Sequence, residues 1–186
     1  MLFDKTGIEG AYLITRTPNY DERGSFARFY CEQEFKQAGI EESFVQMNIC
    51  TNKKRGTLRG LHYQSEDAAE DKVVSCIKGR IFDVCVDIRS SSETFLKYVA
   101  YELSEDNNKM LYIPKGCAHG YVTLEDDSSL LYMMTEFYVP NASFGYRYDD
   151  DAFGIEWPIT SNLIISEKDR NLPKIFNEKR DESKKE

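Results

Sequence analysis

The run Arg80-Ile-Phe-Asp-Val-Cys-Val-Asp-Ile88 repeats with a period of two, setting Ile81, Val84, Val86 and Ile88 among alternating partners. That period belongs to a β-strand, whose successive side chains leave opposite faces. Val and Ile, stiff at χ1, fit the pleated surface. Working outward, β-rich runs recur at residues 11–15, 44–51, 73–77, 98–103, 110–113, 121–124 and 130–139. Gly, Asn, Asp or Pro punctuates most of the gaps. Helical patterning is confined to residues 32–38, which Gly39 ends, and to a turn at 167–170. Many short strands at even spacing predict an all-β sandwich or barrel with a few short helices.

With 186 residues the chain is long enough to close a core, and 41% apolar content, including 12 Tyr and 11 Phe, is that of a globular protein. No linker divides it, so one domain is expected over residues 1–176. Residues 177–186 hold four bases, four acids and almost nothing apolar, which predicts a solvated, disordered tail. Lys and Arg number 24 against 32 Asp and Glu, a net charge of −8 with no basic stripe. That excludes an ordinary nucleic-acid binder. No stretch approaches the ~18 consecutive apolar residues of a membrane span. Met1-Leu-Phe-Asp-Lys5 has no apolar h-region, so no signal peptide is expected. Five widely spaced cysteines without a CxxC argue against a disulfide framework or a structural zinc site. They fit the reducing cytoplasm.

The two histidines sit in Arg59-Gly-Leu-His62-Tyr-Gln64 and Pro114-Lys-Gly-Cys-Ala-His119-Gly-Tyr121. Both lie on β-runs beside Gly, where other backbone or a ligand can approach closely. Gly56, five residues, His62, one residue and Gln64 repeat the start of the first cupin motif. Pro114-x-Gly116-x-x-His119 matches the second. The chain thus resembles a small cupin-type β-barrel, a jelly roll. A metal-binding cupin needs about three His and one Glu on the ion. Here Gln64 and Lys72 stand at or near two of those places, so no metal is expected. Imidazole, ammonium and phenol together suit proton abstraction beside a carbonyl.

A series of ordered motifs then narrows the resemblance. They include Arg23-Gly-Ser-Phe26, Phe44-Val-Gln-Met-Asn48, Leu58-Arg-Gly-Leu-His-Tyr-Gln64, Phe82-Asp-Val-Cys-Val-Asp-Ile-Arg89, Tyr112-Ile-Pro114, Phe153-Gly-Ile-Glu-Trp-Pro158 and Ser166-Glu-Lys-Asp169. Over residues 20–173 the chain resembles the dTDP-4-dehydrorhamnose 3,5-epimerase family. The resemblance implies a homodimeric barrel acting on a nucleotide-diphosphate 4-keto sugar, without metal or organic cofactor, in deoxysugar or heptose biosynthesis for surface polysaccharide. His62 would take the proton from C3 or C5, both alpha to the C4 ketone. Asp169, which taken alone reads as a surface acid or helix cap, would orient His62. Lys72 would hold the enolate oxygen, and Tyr132 would return a proton from the opposite face. Tyr138 would line the pocket. Arg59 and His119 would hold sugar or pyrophosphate. Gln46, Asn48, Arg23 and Phe26 would join the substrate contacts. Asp83 is equally consistent with facing in or out.

The nucleotide end departs from the family pattern. Arg28 stands where the family usually has a Glu able to accept from thymine, and Met47 where Asp is common. Arg28 can only donate, as to guanine O6 and N7, so GDP is an alternative to dTDP. Inversion of C3 alone, a 3,4-ketoisomerase, a metal-dependent cupin and a non-catalytic sugar-nucleotide binder are the competing readings.

Overall fold

The structure is a computed structural model and describes residues 1–176. The tail expected over 177–186 lies outside the described residues. In chain order the elements are β1 Leu2–Lys5, β2 Tyr12–Thr15, β3 Asn19–Asp21, β4 Gly24–Phe26, α1 Glu32–Gln37, β5 Gln46–Asn52, β6 Leu58–Gln64, β7 Lys72–Lys78 and β8 Arg80–Asp87. There follow β9 Tyr98–Ser104, β10 Lys109–Ile113, β11 Cys117–Thr123, β12 Ser128–Met134, β13 Ser143–Gly145 and α2 Glu167–Arg170. One antiparallel sheet has the order β1-β2-β10-β7-β12-β5, and a second β13-β6-β11-β8-β9; among the described residues β3 and β4 pair only with each other.

The two large sheets close on a shared core. Val74, Cys76, Leu111, Ile113 and Leu130 come from the six-stranded sheet, and Ile81, Cys85, Leu103, Cys117 and Tyr121 from the other. This is the barrel interior of a cupin fold. Outside it, α1 packs Phe35 with Ile14, Val73, Met110 and Met133. Tyr146, Phe153 and Trp157 of the C-terminal segment cover Val84, Val86 and Leu61. Both faces of β8 are therefore buried. Ile81 and Cys85 face the barrel, while Val84 and Val86 face the C-terminal cover, so Ile81 does not share their side. No helix among the described residues is long and apolar enough to cross a membrane.

The strand expected over 130–139 stops at Met134. The reason is Gln64. Its buried Oε1 accepts from Val139 N at 2.7 Å, and its Nε2 donates to Phe137 O at 3.2 Å and Ala68 O at 3.0 Å. These bonds pull residues 137–139 out of the sheet and carry Tyr138 to the cavity mouth. The short strands β1, β3, β4 and β13 hold three or four residues each, too few for a period to register.

Candidate active site

His62 on β6 and His119 on β11 are direct cross-strand partners, and the next paired residues are Arg59 and Tyr121. Between these pairs β6 has two residues, Gly60 and Leu61, where β11 has one, Gly120. That bulge restores the facing of Arg59, which an unbroken strand would turn away from His62. It depends on glycine. A Cβ at Gly60 would lie 2.6 Å from Gly120 Cα and 2.7 Å from His119 O, and Gly60 has φ +121°.

The α2 turn supplies the partner of His62. Ser166 caps it, accepting from Asp169 N at 3.0 Å. Asp169 is buried, its Oδ1 2.8 Å from His62 Nε2 and its Oδ2 accepting from Gly60 N at 3.3 Å. Burial alone would raise this carboxyl; the bonds from His62, Gly60 and Ser166 hold it below its ordinary range. An ionised carboxylate only accepts, so Nε2 carries the ring proton and Nδ1 is left as the base.

His119 repeats the arrangement deeper in the barrel. Its Nε2 lies 2.7 Å from Asp83 Oδ1, both residues are buried, and Asp83 Oδ2 has no hydrogen-bond partner among the described residues. Asp83 therefore faces in. Burial pushes its carboxyl up, against the pull of His119.

The facing wall belongs to the six-stranded sheet. Tyr132 sits in register between Val74 of β7 and Asn48 of β5, and Lys72 beside Met134. The Tyr132 ring meets His119 edge-on, centroids 5.8 Å apart. Burial, with Tyr121, Asp83 and Cys50 nearby, pushes the Tyr132 hydroxyl well above its ordinary range. Lys72 Nζ is 3.1 Å from Glu70 Oε1.

Asn48, Arg59, His62, Lys72, His119, Tyr132 and Tyr138 line one cavity of about 310 Å³. Asp169 stands behind His62, and Gln46 frames the rim, its Oε1 accepting from Tyr138 N at 3.3 Å. Arg23, Phe26 and Arg28 do not reach this cavity within one chain. Arg23 is bound to Asp21, Phe26 is 78% exposed, and Arg28 Nη1 is 2.7 Å from Glu34 Oε1. Arg23 and Phe26 belong to the exposed β3–β4 hairpin, a two-stranded sheet separate from the two large ones.

Sequence reasoning did not single out Glu70, Cys50, Tyr121, Ser143 and Lys168, which also line the cavity. For two of them the strand period held a signal. Glu70 precedes Lys72 by two residues, and Tyr121 follows His119 by two. The cupin metal places do not fit a cation: the Gln64 amide is used by the 137–139 segment, and Lys72 contributes an ammonium group. Among the described residues no three His, Cys, Asp or Glu side chains converge.

A base held by a buried acid on one wall, with a phenol and an ammonium group on the other, can move protons beside a carbonyl. Such a barrel is the framework of an acid–base isomerase. The family model for dTDP-4-dehydrorhamnose 3,5-epimerase matches residues 5–177. The chain is 43% identical to the dTDP-4-dehydrorhamnose 3,5-epimerase of Methanothermobacter thermautotrophicus, over 91% of each chain. The crystal structure of the same-named enzyme from Elizabethkingia anophelis superposes with a TM-score of 0.92 at 39% identity, covering 96% of this chain and 98% of that one. The Legionella pneumophila epimerase, solved in complex with dTDP-4-keto-L-rhamnose, gives 0.88 at 36% identity, covering 92% and 91%. The chain belongs to the dTDP-4-dehydrorhamnose 3,5-epimerase family and is an enzyme of the isomerase class.

Proposed function

We propose that the protein inverts C3 and C5 of a dTDP-linked 4-keto-6-deoxy sugar, a step in deoxysugar biosynthesis. The observation that carries this reading is the His62–Asp169 pair facing Tyr132 across the cavity. His62 Nδ1 takes a proton alpha to the C4 ketone, and Asp169 steadies the imidazolium that forms. The electrons move into the enolate, whose oxygen Lys72 stabilises. Tyr132, on the opposite wall, delivers its proton to the other face of the same carbon, and the ketone re-forms. Base and acid on different sheets are what inversion requires. Arg59 and His119 bind the diphosphate and sugar hydroxyls, an Arg fork suiting phosphate oxygens, and Tyr138 closes the rim with Gln46 and Asn48.

The case for guanine rested on Arg28, whose guanidinium is engaged by Glu34; dTDP is the nucleotide proposed. A homodimer is proposed as well. Strand β5 is a sheet edge exposing Met47 and Ile49, and the β3–β4 hairpin exposes Tyr20 and Phe26. Open edges and apolar patches of this kind favour a second copy.

The test is incubation with a dTDP-4-keto-6-deoxy sugar, borohydride reduction and analysis of the sugar configuration. Inverted C3 and C5 are expected. Unchanged starting configuration with folded protein would overturn the reading, and inversion of C3 alone would restrict it. Calorimetry should show dTDP binding more tightly than GDP.

A further inference from the structure

Tyr121 lies on β11, 1% exposed, and its ring flanks that of His119 at 6.2 Å, with Tyr132 on the same imidazole at 5.8 Å. Its hydroxyl donates to Asn52 Oδ1 at 3.1 Å. An amide oxygen only accepts, so Tyr121 holds the proton of that bond and its own oxygen is left to accept. The Tyr132 hydroxyl is its neighbour in the cavity wall, where Tyr121 helps push the Tyr132 hydroxyl up, and the Cys50 thiol stands 3.2 Å from it. Asn52 Oδ1 has a second donor, Arg59 Nε at 3.0 Å, and Asn52 Nδ2 donates to Ser128 O at 3.3 Å. Losing the Tyr121 proton would therefore not leave the Asn52 oxygen bare.

We propose that Tyr121 is a positioning residue for the acid step, its O–H turning from Asn52 to the Tyr132 oxygen as Tyr132 gives its proton to the substrate. This rests on the reading of Tyr132 as the proton donor. In the step, the Tyr132 O–H bond breaks and a C–H bond forms from the enolate electrons. The negative charge passes from the enolate to the Tyr132 oxygen. A buried phenolate without a donor is costly, and Asp83 nearby adds repulsion. Tyr121 keeps its own proton and only re-aims it, rotating one hydroxyl. Solvent reprotonates Tyr132 and takes the proton from His62 when the product leaves.

The test is Tyr121→Phe in D₂O, with a dTDP-4-keto-6-deoxy sugar followed by proton NMR. Abstraction by His62 does not use Tyr121, so loss of the C3 and C5 proton signals from unreacted sugar should continue near the wild-type rate. Inversion should fall about tenfold to a hundredfold, the effect of one hydrogen bond to a charged oxygen. Exchange and inversion falling in equal proportion, or neither changing, would overturn the proposal. A second variant keeps ring and hydroxyl: 3-fluorotyrosine at position 121 is the stronger donor and should raise the ratio of inversion to exchange. A ratio unchanged or lowered would refute the role even if Tyr121→Phe failed to fold. Tyr132→Phe inverting as fast as wild type would instead refute the reading of Tyr132 itself, and wild-type protein that neither exchanges nor inverts would refute the epimerase reading.

Discussion

Asp169→Asn removes one charge and leaves the shape. In the wild type the carboxylate oxygen lies 2.8 Å from His62 Nε2, which puts the centres of charge about 4 Å apart once His62 is protonated. At an effective dielectric near 20, Coulomb's law gives about 4 kcal/mol for that pair. The His62 side chain is 37% exposed, so solvent screens part of this. A net loss of roughly 2–3 kcal/mol remains, or about 30- to 150-fold in kcat. KM should hold, because Asp169 stands behind His62 and does not line the cavity. Steady-state kinetics on the purified variant read both constants, and a melting curve confirms that α2 still docks. A kcat within threefold of wild type, or a change confined to KM, would refute the dyad.

Tyr132→Phe should cut inversion ~10²–10⁴-fold while proton exchange into D₂O persists, which NMR reads directly. Gln64→Met should leave Val139 N, Phe137 O and Ala68 O without their partner, lowering stability by about 1–3 kcal/mol in urea unfolding and raising KM by unseating Tyr138. Asp87 is buried, and although burial acts to raise its carboxyl, the bonds from Arg89, Ser92 and Thr94 hold it well below the usual range. A depressed native pKa stabilises above the unfolded value near 4 and is lost as pH falls through the native one. Asp87→Asn should therefore destabilise at pH 7 and flatten the loss of stability between about pH 4 and 2, measured by denaturant titration at each pH. An equally steep acid limb in the variant would contradict this.

The barrel was legible because strands such as β8, β11 and β12 run seven or eight residues, long enough for a period of two to appear. Where the period misled, a long-range contact had intervened. The apolar run past Met134 reads as strand, yet Gln64, distant in sequence, captures its backbone. Ile81 and Val84 look like companions, yet a C-terminal cover hides the face between them. At the site, His62 and His119 stood out through their glycine neighbours and cupin spacing. Arg59 is instructive: three residues from His62, it belongs on the other face of a regular strand, and only the bulge at Gly60 brings it round. A backbone irregularity of that kind carries no signature in residue periodicity. Asp169 is more than a hundred residues from His62, and without the family resemblance it reads as a helix cap. Lys72 and Tyr132 likewise owe their place to the family motifs, whereas Glu70 and Tyr121 could have been found from their two-residue spacing to Lys72 and His119.

The mechanism turns on His62 removing a proton alpha to a ketone. The most direct measurement is proton NMR in D₂O of a dTDP-4-keto-6-deoxy sugar with wild-type protein and with His62→Ala. The C3 and C5 signals should fade with the wild type and persist with His62→Ala. Persistence with the wild type, or fading at a comparable rate in the variant, would contradict that mechanism.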